Sequence, residues 1–273
     1  FLRHTSGYDE TLHTARIESG AATGLSEAEI TAFCRLWMQH EKVVTIYSQG
    51  VNQSTSGSDK VNAILNCHLA TGRIGKPGCG PFSVTGQPNA MGGREVGGLA
   101  NMLACHLDLE NADHSAAVRD FWGVPSLPNK PGLKAVDMFQ AVGDGRIKAL
   151  WIIHTNPAVS MPEADAVLDA ISECPFVVVS DITDQTDTAR LADVLLPATA
   201  WAEKDGTVTN SDRTISRQRS VLPAPGQTRP DWHILAEVGQ RMGFETGFQF
   251  ASVAEIFREH AALSAIAGRF GRD

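Results

Sequence analysis

The sequence lacks the features that identify membrane proteins and nucleic-acid-binding proteins. No apolar run in its 273 residues approaches the roughly 20 residues that a membrane-spanning helix needs, and we expect no signal peptide. The formal net charge of -8 argues against a general nucleic-acid surface, although it is compatible with a local basic pocket for phosphate. We therefore expect neither a membrane nor a nucleic acid among the partners of this chain.

Cysteine is scarce and is not arranged for metal binding. The five cysteines are odd in number and none forms a Cys-x-x-Cys pair, so we expect no zinc or iron–sulfur site within this chain and assign no metal ligand. Reduced thiols in the cytosol are the simplest interpretation. Cys34 and Cys67 fall in helical patterns and are predicted to be core residues, whereas Cys79 lies in a glycine-rich segment and is predicted to be an inert loop thiol.

Glycine, by contrast, is abundant between Thr71 and Gly98, where nine residues are glycine. Because glycine has no side chain, the backbone of such a segment can come close to a ligand. The segment has almost no aliphatic run, so we expect neither an ordinary helix nor an ordinary strand in it. Its polar side chains favour an ordered loop that faces a ligand, with disorder as the alternative. These side chains are Arg73, Lys76, Gln87, Asn89 and Arg94.

Outside this loop, short apolar strands alternate with helical patterns. Runs of β-branched and aliphatic residues predict strands at Lys42–Tyr47, Ile147–Ile153, Phe176–Val179 and Val194–Leu196. Apolar residues at helical spacing predict helices at 26–40, 59–72, 99–106, 133–142, 163–171, 185–191, 232–242 and 251–268, with a further short helix near Tyr8–Ile17. Ser26 and Glu29 form a capping box at the start of the first of the numbered helices.

Two further segments have a different character. Residues 107–132 contain Pro and Asn and are predicted to be an irregular connection. From Trp201 the helical periodicity is lost, and we predict an irregular hairpin whose cations line a solvated face. These cations are Lys204, Arg213, Arg217 and Arg219.

The alternation of strands and helices predicts an α/β fold with a three-layer, doubly wound and mostly parallel sheet. The strands are apolar on both faces, as in parallel sheets that helices cover on both sides. We divide the chain into an irregular lead-in at 1–25, an α/β domain at 26–243 and a helical tail at 244–273.

Polar side chains follow three of the predicted strands, at the point where each strand ends. Ligands of open α/β sheets bind outside the carboxyl edge of the strands, so these side chains predict a binding site. A role as strand-end caps or turn residues is about as probable for any single one. They are Gln49 and Gln53, then Thr155 and Asn156, then Ser180 and Asp181. The spacing G-x-G-x-x-G is absent, so no dinucleotide fingerprint supports the site.

Five segments of the sequence belong together: YSQGVNQ, NCHLATGRIGKPG, PFSVTGQPNAMGGREVGG, SDITDQTDTARLADVLLPATAWAEKDGTVTNSDR and RPDWHIL. In this order, the set resembles the molybdopterin-dependent oxidoreductases, and most closely the bacterial nitrate reductases of the assimilatory and periplasmic type. The resemblance covers roughly residues 26 to 243. It implies the nucleotide-binding fold of formate dehydrogenase and DMSO reductase.

The resemblance also implies cofactors and an activity. Enzymes of this family bind molybdenum through two molybdopterin guanine dinucleotides, and they carry an N-terminal four-cysteine motif for a 4Fe-4S cluster. Neither that motif nor the segment that supplies the metal ligand occurs in this sequence. We therefore expect an internal fragment of a longer enzyme that reduces nitrate to nitrite. The isolated fragment should be inactive and bind no cofactor, while the cytoplasm is expected for the whole enzyme, with the periplasm as the alternative.

Site residues follow from the resemblance position by position. Gln49 and Gln53 match contacts close to the pterin, and Arg94 matches an arginine near the metal that guides nitrate. Gln87 and Met91 are candidates for lining the same cavity. The positions that match nucleotide contacts are Asn156, Ser180, Asp181, Lys204 and Asp231. All of these groups are expected to face one cleft.

Three alternatives stay open. Another enzyme of the superfamily, such as a formate dehydrogenase, is the nearest, and the missing metal-ligand segment would decide it. A non-catalytic scaffold or electron-transfer subunit that has lost the pterin is the second. A general nucleotide-binding module is the third. The electron donor and the oligomeric state do not follow from the sequence.

Overall fold

A computed structural model of the chain describes residues 22–84 and 86–272. The expected helix near Tyr8–Ile17 and most of the lead-in at 1–25 lie outside these residues. The described chain divides into two compact units, one that ends at Pro88 and one that begins at Asn89. The outer bounds of the α/β domain, 26 and 243, stay a prediction.

The first unit is built on two parallel strands with helices between them. Strand β1 pairs with β2 in the register Val44 to Gly80 through Tyr47 to Ser83. The capping box predicted for the first helix is confirmed, since Ser26 and Glu29 satisfy each other's backbone N–H groups. The elements in chain order are α1 (Glu27–Gln39), β1 (Val44–Tyr47), α2 (Gln49–Asn52), α3 (Gly57–Ala70) and β2 (Gly80–Ser83).

No apolar side chain is fully buried in the part of this unit that the structure describes. Phe33 on α1 is 61% exposed and Ile46 on β1 is 67% exposed. The prediction that Cys34 and Cys67 are core residues is therefore wrong, because both are only half-buried on helices without a closed core beneath them.

Two polar side chains, His68 and Arg73, are buried in the centre of this unit instead. The Arg73 guanidinium donates to the backbone carbonyls of Trp37, at 2.7 Å, and His40, at 2.5 Å, so it caps the carboxyl end of α1. The His68 Nε2 atom lies 2.8 Å from the Thr45 hydroxyl of β1, and its ring packs on the Trp37 ring. These contacts connect α1, β1, α3 and the start of the glycine-rich segment.

The expectation that 71–98 is irregular throughout is wrong for two stretches. Gly80–Ser83 forms β2, because pairing with β1 supplies hydrogen bonds that outweigh weak local propensity. Helix α4 (Ala90–Glu95) begins after Asn89, which has a left-handed backbone. A Cβ at Gly92 would lie 2.3 Å from the Asn89 side-chain oxygen, so only glycine lets that side chain fold over the helix.

The second unit contains a three-stranded parallel sheet in the order β3-β4-β5. Its remaining elements are α5 (Ala112–Trp122), α6 (Ala135–Gly143), β3 (Leu150–Ile153), α7 (Pro157–Ser160), α8 (Ala164–Glu173), β4 (Val177–Asp181), β5 (Val194–Pro197), β6 (Gly206–Thr209), β7 (Ile215–Gln218), α9 (Asp231–Arg241) and α10 (Val253–Ala267). The α/β class with parallel strands is thus confirmed.

Helices α6 and α8 cover one face of this sheet. Alternate residues of β3 and β4 point into the same core as the apolar sides of the two helices, as the period of two in a strand requires. The fully buried members include Ile171, Val177 and Val179. A second cluster joins α5 and α10 around Leu107, Val118 and Leu263.

Three expectations for this unit are wrong. The helix predicted at 99–106 is only a 3-10 turn, Ala104–His106, because Cys105 and His106 have φ angles of 58° and 56° and break the helix. The connection predicted at 107–132 contains α5, which Asn111 caps by accepting from the N–H groups of Asp113 and His114. The helix predicted at 185–191 is reduced to the 3-10 turn Ala189–Leu191.

The irregular hairpin predicted after Trp201 is confirmed as the antiparallel pair β6–β7. The helices expected at 232–242 and 251–268 are present as α9 and α10. Every helix among the described residues is too short or too polar to pass through a bilayer.

The buried His68 makes the stability of the first unit depend on pH. Burial, and then the nearby charge of Arg73, lower the pKa of His68 below 6.5. The unfolded chain therefore takes up a proton more readily, so the contribution of neutral His68 is complete above about pH 6.5 and is lost as the pH falls below it. Urea titrations at pH 7.5 and 5.5, followed through the indole N–H signal of Trp37, should show lower stability at the acidic pH.

Two matched variants distinguish the contribution of His68 to this pH dependence from that of the other histidines. His68→Gln should flatten this pH dependence, whereas His233→Gln, at an exposed position of α9, should leave it unchanged. An equal slope in the wild-type chain and in His68→Gln would contradict the assignment to His68.

Candidate functional site

The candidate site lies at the carboxyl edge of β3, β4 and β5. Because the strands are parallel, their ends meet at one edge of the sheet. Ile153 lies opposite Ser180, and Asp181 lies opposite Pro197. The N–H of His154 continues the pairing by donating to the Ser180 carbonyl at 2.9 Å. Residues that follow each strand are therefore held in register with one another.

The start of helix α9 is brought to the same edge by backbone pairing. The N–H of Arg229 donates to the Pro197 carbonyl, and the N–H of Thr199 donates to the Arg229 carbonyl, both at 3.1 Å. Arg229 thus runs parallel to the end of β5, and Asp231 follows two residues later in the first turn of α9. A carboxylate in this position is stabilised by the helix dipole.

Asp231 is held through both carboxylate oxygens. The Lys204 Nζ atom lies 2.5 Å from one oxygen, and the His154 Nε2 atom lies 2.5 Å from the other. The three side chains are 24% to 30% exposed, so the cluster is reached from solvent but is well shielded. Lys204 precedes β6, His154 follows β3 and Asp231 begins α9, so three distant parts of the sequence meet here.

The cluster keeps Asp231 ionised. Burial by itself would raise the pKa of this carboxyl group, but the hydrogen bonds and charges of Lys204 and His154 outweigh burial and lower the pKa below its ordinary value. The Asp231 carboxylate is thus a fixed acceptor that suits hydrogen-bond donors of a ligand. The neighbouring Lys204 suits a phosphate group.

Asn156 is oriented by Thr188, which is fully buried in the loop after β4. The side-chain oxygen of Asn156 accepts from the Thr188 hydroxyl at 2.7 Å and from the Thr188 N–H at 3.2 Å. The Thr188 hydroxyl in turn receives the N–H of Ala158 at 3.2 Å. With its oxygen used in this way, Asn156 presents its amide N–H groups as donors.

Ser180 and Asp181 differ in access. Ser180 is 1% exposed, and its hydroxyl accepts from the Trp151 indole N–H at 2.8 Å, so its side chain serves the packing of β3 against β4. Asp181 is half-buried, and one of its oxygens accepts from the N–H of Ile182 at 2.7 Å. That bond fixes the carboxylate at the strand end and leaves the second oxygen for another donor.

Arg94 and Met91 lie on the short helix α4, away from these contacts. Arg94 is exposed, and its neighbour Glu95 is buried, where it accepts from the Thr209 hydroxyl at 3.3 Å. Helix α4 therefore packs on the carboxyl end of β6, at Thr209, whereas Lys204 precedes the amino end of that strand. Among the described residues, no hydrogen bond or ion pair links Arg94 to the cluster of His154, Lys204 and Asp231.

Gln49, Gln53 and Gln87 belong to the first unit. Gln49 begins the four-residue helix α2 directly after β1, and Gln53 follows it with an N–H that donates to the Gln49 carbonyl at 3.0 Å. Gln53 and Gln87 are exposed, and Gln49 is half-buried. The expectation of one cleft for all the candidate residues therefore stays a prediction.

A cavity of about 800 Å³ lies between β5 and α9, but it contains none of the predicted site residues. Leu195 and Ile234 line it, together with an ionic cluster in which Arg229 and Arg241 both bind Glu237. No group of three His, Cys, Asp or Glu side chains within 22–84 and 86–272 is arranged for a metal ion.

Sequence reasoning missed His154 and Thr188 as members of the site. His154 stands directly between a predicted strand and Asn156, which was a usable signal. Thr188 gave no signal, because its role depends on a contact 32 residues away.

The ionised state of Asp231 can be tested through Lys204. Lys204→Met removes the charge and the hydrogen bond that lower the carboxyl pKa, so that pKa should rise. A ¹³C NMR titration of the Asp231 carboxyl carbon measures the change, and Lys134→Met, at an exposed position, serves as the control. An unchanged pKa in Lys204→Met would contradict the pairing seen here.

Comparison with known proteins confirms the resemblance found in the sequence. A nitrate reductase of Shewanella frigidimarina (strain NCIMB 400) is 52% identical over 268 residues, which cover 96% of this chain and 28% of that protein. A nitrate reductase of Klebsiella oxytoca is 53% identical over 241 residues, covering 88% of this chain and 28% of that protein. A putative formate dehydrogenase of Bacillus subtilis (strain 168), YrhE, is 35% identical over 264 residues, covering 96% and 26%.

The chain spans about 28% of the length of the two nitrate reductases. A family model described as "Molybdopterin oxidoreductase" matches residues 14–241, which is most of the sequence. Membership of that family implies a molybdenum–pterin cofactor. The chain belongs to the molybdopterin oxidoreductase family.

Proposed function

We propose that this chain supplies part of the nucleotide-binding half of a nitrate reductase, at the site of a molybdenum bis(molybdopterin guanine dinucleotide) cofactor. The observation that carries the proposal is the convergence of five predicted nucleotide contacts on one sheet edge. They are Asn156, Ser180, Asp181, Lys204 and Asp231. The more similar relatives reported above are named nitrate reductases, which favours nitrate as the substrate of the whole enzyme.

The donors and acceptors at this edge fit a phosphorylated guanine nucleoside. Asp181 and Asp231 are carboxylates that can accept from ribose hydroxyls or from the N–H groups of a guanine edge. Lys204 has three N–H donors and donates one to Asp231, so two remain for phosphate oxygens. Asn156 offers its amide N–H groups because Thr188 holds its oxygen. Ser180 contributes through its backbone and through packing.

When bound, the cofactor supplies the redox chemistry, in which nitrate takes up two electrons and two protons and gives nitrite and water. The protein binds, orients and shields. Arg94 would guide nitrate, since its guanidinium offers planar, charged donors to a planar oxyanion, and its side chain is exposed for that role. Gln87 and Met91 would line the same space, and Gln49 and Gln53 would contact the pterin.

The remaining parts of the enzyme belong to the same proposal. A 4Fe-4S cluster outside this chain would pass electrons from the electron donor to the cofactor. The five cysteines are free, which suits the reducing cytoplasm, and the periplasm is the alternative compartment.

A formate dehydrogenase is the second candidate, because the Bacillus subtilis relative with 35% identity is named a putative formate dehydrogenase. The same sheet edge would serve that enzyme equally, because the residues of the edge would contact the nucleotide of the cofactor and not the substrate. The two candidates therefore differ only in the substrate that the whole gene product turns over.

Nucleotide binding at the sheet edge can be measured directly with GDP. GDP is only the nucleotide part of the cofactor, so isothermal titration of the chain should give a saturable signal even though the isolated chain is not expected to hold the whole cofactor. Asp181→Asn should weaken binding by about tenfold, because one hydrogen bond to a charged group is lost. The asparagine can still accept from the Ile182 N–H, so the local backbone is kept. Asp169→Asn, at an exposed position of α8, should bind like the wild type. Equal affinity for GDP in both variants would contradict the proposed nucleotide site at this edge of the sheet.

The role of Arg94 requires the whole gene product that contains this chain. Arg94→Ala should lower kcat/KM for nitrate by about tenfold or more, because a charged hydrogen-bond donor to the anion is lost. Nitrite formation with an artificial electron donor measures this, and an unchanged molybdenum content shows that the cofactor is still loaded. Arg258→Ala, on α10, is the control. Formate oxidation without nitrate reduction would select the second candidate instead.

A further inference from the structure

We propose that His154 is a positioning residue of the nucleotide site, which holds the Asp231 carboxylate in the orientation that accepts the bound nucleoside. This inference rests on the proposed nucleotide site at the carboxyl edge of the sheet. His154 was not among the positions that match family contacts, so the assignment comes from the geometry alone.

Asp231 has a different partner on each of its two carboxylate oxygens. Lys204 binds one carboxylate oxygen and His154 binds the other, each at 2.5 Å. With one partner alone, the carboxylate could rotate about its Cβ–Cγ bond, because that torsion is soft. Two partners on opposite oxygens fix the plane of the group, and each oxygen keeps a lone pair for a donor on the ligand.

The backbone of His154 directs its imidazole toward Asp231. The φ angle of His154 is 51°, in the left-handed region that residues with a Cβ seldom adopt. Its N–H is bonded to the Ser180 carbonyl, so the end of β3 cannot shift to relieve this conformation. Such a conformation persists where the surroundings hold it in place. Here it turns the chain after β3, and the ring meets Asp231, 77 residues away in sequence.

The cluster lies where a ligand could reach it. His154, Lys204 and Asp231 remain partly accessible, with side-chain exposures of 30%, 24% and 26%. Asn156 and Asp181 follow strands of the same edge and offer donor and acceptor groups there.

The test compares GDP affinity with thermal stability in the same variants. His154→Gly removes one partner of Asp231 but also relieves the positive φ, and because these two effects on stability oppose each other the melting temperature should change little. The dissociation constant for GDP should nevertheless increase by about threefold to tenfold, as expected when a hydrogen bond that orders a charged group is lost. His154→Gln, whose amide N–H can reach the same oxygen, should restore part of the affinity. His233→Gln is the control for removal of an exposed imidazole.

The outcomes separate this inference from the function on which it rests. Wild-type binding of GDP with equal affinity in His154→Gly would overturn the role of His154 and leave the nucleotide site intact. A large fall in melting temperature together with weaker binding would also overturn it, because His154 would then be structural. Absence of GDP binding by the wild-type chain would overturn the proposed nucleotide site and the inference with it. Weaker binding at undiminished stability, with partial rescue by glutamine, supports the proposal.

Discussion

The candidate site depends on the parallel pairing of β3, β4 and β5. Parallel pairing places three carboxyl ends at one edge, and the backbone bonds beyond the strands extend that register to residues with no place in the sheet itself. His154 is held by the Ser180 carbonyl, and Arg229 is held beside Pro197. A slip of one residue in either pairing would turn the following side chains to the opposite face. The site is thus specified by the backbone before any polar side chain contributes.

The two units are stabilised by different means. In the second unit, apolar residues of the sheet and of α6 and α8 form a closed core, and burial of this kind is the main favourable term in folding. The described part of the first unit has no such core, and its centre is occupied by His68 and Arg73. Burying a cation is costly unless carbonyl or carboxylate oxygens satisfy it. The carbonyls at the end of α1 do so only in part for Arg73, because they accept from its Nη2 atom while its buried Nη1 atom has no hydrogen-bond partner within the described residues.

The sequence predicted elements best where one local property decided the outcome. Strands β3 and β4 were found because their apolar runs have alternate residues buried in the core, and the Ser26 capping box was found because it is complete within four residues. The error at 99–106 arose because two left-handed residues, Cys105 and His106, have no sequence signature. Helix α5 was missed although Asn111 and Gly123 are standard start and stop signals, because the Pro and Asn residues of 107–132 were given more weight than the apolar residues between them.

The site residues followed the same division between local and distant information. Asn156 and Asp181 were predictable from their place after strands, which is a local property. The bond between His154 and Asp231 was not, because it depends on the hairpin that returns the chain to the end of β5. That contact also changes how Asp231 is understood. A carboxylate with two cationic or imidazole partners is not simply a negative charge near a ligand; it is an acceptor whose direction is set before the ligand arrives. Preorganisation of this kind lowers the entropic cost of binding, since the side chain no longer has to be ordered by the ligand itself.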